Sequence, residues 1–226
     1  MRTCPAWIAA LAALCCLTAC TTRDDATAKS PDEAARRMFG SIAFEPCTLS
    51  GALASSSINA QCARLDVAED PKQPHGRQIP LNIAWLPASD KGTTAPDPVF
   101  FLAGGPGQAA TEYAAEIDLA LREVRKHRDI VLIDQRGTGK LSPLACRDAN
   151  GVALRLPTED EADADALADY AARCAKALEG KADPRFYTTT QAIGDLDAVR
   201  KALGVQQINL VGVSYGTRVS QQFAAK

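Results

Sequence analysis

The sequence predicts an α/β protein whose sheet is mostly parallel after an antiparallel start. Residues 62–67 and 78–86 alternate between apolar and polar side chains, as two half-buried antiparallel strands do. Residues 98–103, 129–134 and 208–213 are nearly continuous apolar runs, which suit strands buried on both faces of a parallel sheet. Helical patterns separate these later runs, and this alternation favours a parallel sheet with crossover helices.

The helices are predicted from apolar residues at helical spacing. Residues 111–127 and 161–178 each carry such a face, and the acidic start of the second segment agrees with the helix macrodipole. Three threonines at 188–190 supply an N-cap for a helix over residues 191–203, which Gly204 ends. One more helix is expected after the turn at residue 214.

The N-terminus is typical of an export signal. A basic start precedes an apolar run over residues 5–17, which is too short to span a bilayer permanently. The following Leu-Thr-Ala-Cys sequence resembles a bacterial lipobox, so residues 1–19 are predicted to be a lipoprotein signal peptide and Cys20 its lipidated residue. The alternative is an ordinary secretory signal. Thr21, rather than an aspartate, follows Cys20 and favours the outer membrane, facing the periplasm.

The rest of the chain is divided into a tether and one domain. Residues 20–43 are mainly polar and are predicted to be a flexible link between the lipid and the domain. Residues 44–226 are predicted to fold, and no segment after the signal is long and apolar enough to cross a membrane. The formal net charge of −2 gives no electrostatic case for a nucleic-acid partner.

Four of the eight cysteines remain in the predicted domain: Cys47, Cys62, Cys146 and Cys174. An even number in an exported protein indicates two disulfides. Nearest-neighbour pairing would join Cys47 to Cys62 and Cys146 to Cys174, each contributing about 3–4 kcal/mol, although the sequence permits three connectivities. A zinc site is the rival interpretation, but the close Cys-x-x-Cys spacing typical of such sites is missing.

The strongest motif is Gly-Val-Ser-Tyr-Gly at residues 212–216. A buried strand precedes it and a helix follows, which predicts a strained turn with the Ser214 hydroxyl at its apex as a nucleophile. Side chains at Gly212 and Gly216 would collide with the neighbouring strand and helix. The alternative is a glycine-rich turn in another α/β fold.

A serine nucleophile also needs donors for the oxyanion that forms when it attacks a carbonyl. One is expected to be the backbone N–H of Tyr215 and the other an N–H from the loop at residues 104–107. Pro106 has no N–H, so Gly104 or Gly105 must donate, and Gly105 is favoured. The alternative is an ordinary Gly/Pro turn.

Three ordered motifs resemble the proline iminopeptidases and the related secreted tripeptidyl aminopeptidases. They are Ala-Gly-Gly-Pro-Gly at 103–107, Asp-Gln-Arg-Gly-Thr-Gly at 134–139 and Gly-Val-Ser-Tyr-Gly-Thr at 212–217. The resemblance covers residues 44–224 and implies the N-terminal part of an α/β-hydrolase fold, truncated after the nucleophile helix. It implies release of residues or short peptides from a peptide with a free N-terminus, through an acyl-enzyme on Ser214 and without a cofactor or metal.

The resemblance also assigns supporting roles. Asp134 and Arg136 are expected to hold the oxyanion loop, with contact between Arg136 and the substrate as a minor alternative. Two positions depart from the pattern: Ala103 replaces a histidine, which a backbone donor tolerates, and Leu141 replaces a serine.

The base and the acid of a catalytic triad are missing from the sequence after Ser214. These groups follow the serine in α/β-hydrolases, yet the twelve residues that follow Ser214 include no histidine, aspartate or glutamate. His75 is expected in a turn and His127 at a helix end. Three explanations stay open: a fragment of a longer enzyme, a catalytically inactive lipoprotein or binding module, and a fold completed by a second chain. An esterase is the alternative within the enzymes.

Overall fold

The computed structural model describes residues 36–53, 56–90 and 92–226. The seven strands of this part are β1 (Arg37–Phe39), β2 (Ile42–Ser50), β3 (Ser57–Ala68), β4 (Gln78–Leu86), β5 (Val99–Leu102), β6 (Ile130–Ile133) and β7 (Asn209–Gly212). They form one sheet in the order β1-β2-β3-β4-β6-β5-β7. Within the same ranges, no helix is long and apolar enough to cross a membrane.

The sheet is mixed. Strands β1 to β4 pair antiparallel with their sequence neighbours, and β4 is also antiparallel to β6. Strand β5 lies between β6 and β7 and is parallel to both. The α/β class and the antiparallel start are therefore confirmed, but only two of the six pairings are parallel. The carboxyl ends of β5, β6 and β7 meet at one edge of the sheet.

The expectation of a mostly parallel sheet is corrected by strands that the pattern did not reveal. β1 has only three residues, and β2 contains Pro46, which argues against a strand inside a sheet. β1 covers β2 only as far as Phe44, so Pro46 lies where β2 has β3 alone as its neighbour. A missing N–H is tolerated at such a position.

The folded part begins earlier than the predicted boundary at residue 44. β1 and the start of β2 fall within the predicted tether, and the turn between them is attached to the fold. The N–H of Ser41 donates to the carbonyl of Ala202 at 2.8 Å, and the rings of Phe39 and Trp85 lie 5.0 Å apart. The predicted signal peptide over residues 1–19 and the predicted lipidation of Cys20 lie outside the described residues.

The described part of the chain has five α-helices: α1 (Ala114–Ala120), α2 (Arg122–Arg125), α3 (Ala164–Leu178), α4 (Thr189–Ala202) and α5 (Tyr215–Ala224). The single helix predicted over 111–127 is divided into a 3-10 turn at Ala110–Tyr113, α1 and α2, because the backbone leaves helical geometry at Leu121 (φ −103°, ψ 16°). The Asp163 side chain caps α3 through the N–H of Ala166 at 2.8 Å. Thr188 is the N-cap of α4, but its side chain accepts no capping bond.

The core lies on both faces of the sheet. On one face, α4 and α5 cover the side chains of the strands, and Leu196, Val199 and Val219 are buried there. On the other face, α1 and the 3-10 turn before it cover β4, β5 and β6, and Ala114 and Ile117 are buried. This burial on both faces is the arrangement predicted for the apolar runs that form β5 and β6. The run at 208–213 is only partly buried, because β7 lies at the edge of the described sheet with β5 as its one neighbour there.

Both nearest-neighbour disulfides are present in the structure. Cys47 and Cys62 connect the adjacent strands β2 and β3, closing a separation of 15 residues. Cys146 and Cys174 connect the segment after β6 to α3, closing a separation of 28 residues. The second disulfide therefore attaches a long stretch with little regular structure to a helix.

Candidate active site

Ser214 lies at the carboxyl end of β7, immediately before α5. Its backbone adopts φ 51° and ψ −120°, and no other residue except glycine has a positive φ in the described part of the chain. Such a conformation costs about 1–3 kcal/mol and persists only where the surroundings enforce it. The side chain is exposed. This is the strained, accessible turn that the Gly-x-Ser-x-Gly pattern predicts.

The two glycines of the motif explain how the turn is enforced. A Cβ on Gly216 would collide with the carbonyl oxygen of Leu102 and come within 2.8 Å of that of Ala103, so α5 starts against the backbone that follows β5. A Cβ on Gly212 would collide with the carbonyl oxygen of Gly216 and lie 2.7 Å from Oγ of Ser220. Neither site accepts a side chain without moving backbone.

The predicted oxyanion loop lies directly beside Ser214. A Cβ built on Gly104 would lie 3.0 Å from the Cβ of Ser214 and 3.2 Å from the carbonyl oxygen of Val213. Gly105 has φ +100° and precedes Pro106 through a cis peptide bond. Within the described residues, the N–H groups of Gly104 and Gly105 donate to no acceptor. Both amides are therefore available to a ligand.

Tyr215 supplies the other predicted donor. It is the first residue of α5, so its N–H has no acceptor inside the helix. The structure thus brings Ser214, Tyr215 and the glycines at 104 and 105 to one place. Gly105, rather than Gly104, remains the predicted second donor to an oxyanion.

Asp134 holds the segment after the oxyanion loop. This buried carboxylate accepts hydrogen bonds from the N–H and Oγ1 of Thr111, at 2.9 and 2.7 Å, and from Nδ2 of Asn82 at 2.9 Å. Thr111 belongs to the 3-10 turn that begins just after the loop. Asp134 therefore connects the end of β6 to this turn, in agreement with a supporting role.

Arg136 has a different role from the one expected. Its Nε and Nη2 each donate to the carboxylate of Asp195 in α4 at 2.7 Å, and its Nη1 donates to the carbonyls of Glu69 and Phe186 at 3.0 and 2.7 Å. Burial raises the pKa of Asp195 above its ordinary value, and the guanidinium opposes that shift. These bonds connect the end of β3 to α4 and do not hold the glycine loop. All of these hydrogen bonds are made to groups of the chain itself, which agrees with a structural role for Arg136.

A buried carboxylate next to Arg136 was not predicted. Glu69 accepts from the hydroxyl of Tyr187 at 3.0 Å and from the N–H of Asp183 at 2.9 Å, and it pairs with Nε of Arg77 at 3.1 Å. Burial, followed by the bond to Glu69, raises the pKa of Tyr187 to about 12, so this hydroxyl stays a neutral donor near pH 7. No spacing in the sequence signals this cluster, because its members come from separate loops.

Tyr215 is held by its side chain as well as by its backbone. Its hydroxyl is hydrogen-bonded to Oγ1 of Thr189, the first residue of α4. The ring packs against the core beneath α4 and α5. Thr189 therefore fixes the residue whose N–H is the predicted oxyanion donor.

Neither histidine lies at the site. His127 follows α2 at the edge of the sheet where β6 begins, opposite the edge that carries Ser214, and its Nδ1 is 3.4 Å from Asp90. His75 is exposed in the loop between β3 and β4. No hydrogen bond or ion pair among the described residues joins Ser214 to a histidine or carboxylate, and the same residues form no cluster suited to a metal ion.

A mainly apolar cavity of about 360 Å³ opens beside the nucleophile. It lies between the end of β5, α1 and the elbow, and its lining includes Phe101, Gly104, Gln108, Ile117, Ala120 and Val213. Gly104 and Val213 both flank Ser214, so the cavity is continuous with the site.

Comparison with known proteins gives a family match. A family model described as alpha/beta hydrolase fold matches residues 97–226 of this chain, which begin just before β5 and include the glycine loop, the 134–139 segment and the elbow.

Two curated relatives are similar over most of the chain. A tripeptidyl aminopeptidase of Streptomyces lividans is 30% identical over 81% of this chain and 35% of its own length. The serine protease Hip1 of Mycobacterium tuberculosis is 29% identical over 81% of this chain and 36% of its own length. The chain thus spans about a third of the length of these relatives. A solved proline iminopeptidase of Mycobacterium smegmatis is 20% identical with a TM-score of 0.41, over 71% of this chain and 38% of that one, too distant to support an inference.

The bonds of Arg136 lead to a stability prediction. We expect Arg136→Met to lower the free energy of unfolding by about 3–5 kcal/mol, because it leaves the carboxylate of Asp195 buried without its partner. Urea denaturation followed by circular dichroism measures the change. The matched control is Arg155→Met, whose ion pair with Glu161 is exposed and should contribute nothing measurable. Equal effects of the two substitutions would contradict this role of Arg136.

Proposed function

This chain belongs to the α/β-hydrolase fold family, and we propose that it is a serine hydrolase that acts on peptides through an acyl-enzyme on Ser214. The observation that carries the proposal is the position of Ser214. It stands at a positive φ beside Gly104, and the N–H groups of Gly104, Gly105 and Tyr215 have no acceptor among the described residues. Neither a glycine-rich turn alone nor a binding surface requires this combination.

The proposed chemistry has two steps. Oγ of Ser214 attacks the substrate carbonyl carbon, its proton passes to a general base, and the free amides stabilise the negative charge that develops on the carbonyl oxygen. The leaving amine takes up a proton as the acyl-enzyme forms, and a water molecule then releases the acyl group and restores the hydroxyl.

One observation favours a peptide substrate. The relatives that are similar over most of this chain are named as a tripeptidyl aminopeptidase and a serine protease. The glycine loop and the elbow would handle the carbonyl of a peptide or an ester alike. We propose release of a residue or short peptide from a free N-terminus.

The general base is not among the described contacts of Ser214. A serine with an oxyanion hole but no histidine retains weak catalysis, of about 10³–10⁴-fold over water. We therefore expect the chain by itself to hydrolyse peptides slowly and to depend on a base supplied from outside these contacts.

We also propose that the chain is exported and attached to the outer membrane, facing the periplasm, through a lipid on Cys20. The support is the sequence: a short apolar run ends at this cysteine, and Thr21 follows. The site would then meet peptides in the periplasm.

The nucleophile is tested by covalent labelling. With imidazole added as a base, we expect a fluorophosphonate to add to Oγ of Ser214 with loss of fluoride, giving one label per chain, and Ser214→Ala to abolish the reaction. Peptide mass spectrometry locates the label. The matched control is Ser220→Ala, one turn further along α5, where the hydroxyl donates to the carbonyl of Gly216 at 2.9 Å. Labelling that persists in Ser214→Ala would reject the assignment.

The missing base is tested by chemical rescue. We expect imidazole to accelerate hydrolysis of a p-nitrophenyl ester by about tenfold, less than the 10²–10⁴-fold of a positioned base, because a diffusing base is not held in place. Absorbance of p-nitrophenolate measures the rate. In Ser214→Ala only the reaction of free imidazole should remain. An equal acceleration in both proteins would contradict the proposed base-limited nucleophile.

The anchor is tested by fractionation of cells that express the full chain. We expect the chain to sediment with outer membranes and to incorporate labelled palmitate, and Cys20→Ser to abolish the incorporation. Cys16→Ser is the control, because Cys16 is predicted to leave with the signal peptide. Loss of palmitate from both variants, or from neither, would reject Cys20 as the lipidated residue.

A further inference from the structure

The cavity beside Ser214 has an apolar interior, which hydrolysis of a peptide bond does not by itself require. Its interior is apolar: the ring of Phe101 in β5 and the side chain of Ile117 in α1 form part of its lining, together with Ala120 at the end of α1. At about 360 Å³ it falls within the range of about 300–1,000 Å³ that is typical of ligand pockets.

Gln108 adds a polar group to the lining of the cavity. Oε1 of Gln108 and the Cβ of Ser214 both lie within 3.0 Å of the point where a Cβ on Gly104 would stand. The carboxamide is held in place, because its Nε2 donates to the hydroxyl of Tyr113 at 3.2 Å. A hydrogen-bonding group of the lining therefore lies close to Ser214.

The acidic residue of the lining does not make the interior a cation site. Oε1 of Glu116 accepts from the N–H of Leu53 at 2.7 Å, and a Cβ on Gly51 would meet both carboxylate oxygens of Glu116. The carboxylate is thus turned toward the 51–53 segment. Because this carboxylate is already engaged and no basic side chain among the described residues lines the cavity, a charged substrate side chain would lose its hydration there without meeting a free counter-charge.

We propose that this cavity is a substrate subsite that accepts an uncharged, apolar side chain adjacent to the reacting carbonyl. The inference rests on the proposed function, since Gly104 and Val213 belong to both the cavity and the surroundings of Ser214. Gln108 presents its carboxamide to the polar backbone of the substrate, while the side chain enters between β5 and α1. The substrate class is therefore peptides with an apolar residue at the cleavage site.

The subsite is tested by equilibrium binding, which does not depend on a base. The probes are the N-acetyl amides of leucine, lysine and aspartate, titrated into the full chain and followed by NMR chemical shifts. We expect the leucine probe to bind with a Kd about tenfold or more below those of the charged probes, as burial of one apolar side chain implies. Equal Kd values for the three probes would overturn the subsite.

A pair of neighbouring substitutions locates the binding. Ala120→Phe adds bulk to the cavity lining and should weaken binding of the leucine probe by about tenfold. Leu119→Phe adds bulk at the preceding residue of α1, which is 68% exposed and does not line the cavity, and should leave binding unchanged. An unchanged Kd in Ala120→Phe would overturn the placement of the subsite.

Labelling of Ser214 by a fluorophosphonate separates this inference from the proposed function. Labelling without a preference for the leucine probe would overturn the subsite and leave the nucleophile in place. A leucine preference without labelling in the presence of added imidazole would support the cavity as a binding site and overturn the proposed hydrolase.

Discussion

The site depends on the close approach of Gly216 to the backbone at the end of β5. A side chain at this position would collide with the carbonyl oxygen of Leu102, so only glycine lets α5 begin where it does. This approach brings the first N–H of α5 next to the glycine loop that follows β5. The positive φ of Ser214 follows from the same constraint, because the chain must reverse sharply between β7 and the helix.

The sequence was most informative where the residues of one short segment decide its structure, as in an apolar strand or a glycine-containing turn. The strands β5, β6 and β7 and the elbow at Ser214 could be predicted because apolar runs and glycines have few alternative meanings, although β7, at the edge of the described sheet, is only partly buried. The pairing of Cys47 with Cys62 was one of three possibilities, and the structure has it. The short strand β1 and the break at Leu121 could not be predicted, since packing outweighs local propensity in such short segments.

The roles of buried charges were the least predictable part of the site. Asp134 holds the turn after the oxyanion loop, as expected, but Arg136 binds Asp195 and the backbone around Glu69. Two positions of one motif thus serve different parts of the fold. A motif fixes which residues are present, whereas the partner of a charged group depends on segments that are distant in sequence, here the end of β3 and the middle of α4.

Apart from the hydroxyl of Ser214, the groups that we propose to receive a reacting carbonyl are backbone amides, and glycines admit them. Such donors do not depend on which side chain stands at Ala103. Selection on such a site acts on conformation and excluded volume more than on functional groups. Among related sequences we therefore expect glycine at positions such as 212 and 216, where a methyl group would collide with backbone, and more variation in the neighbouring side chains.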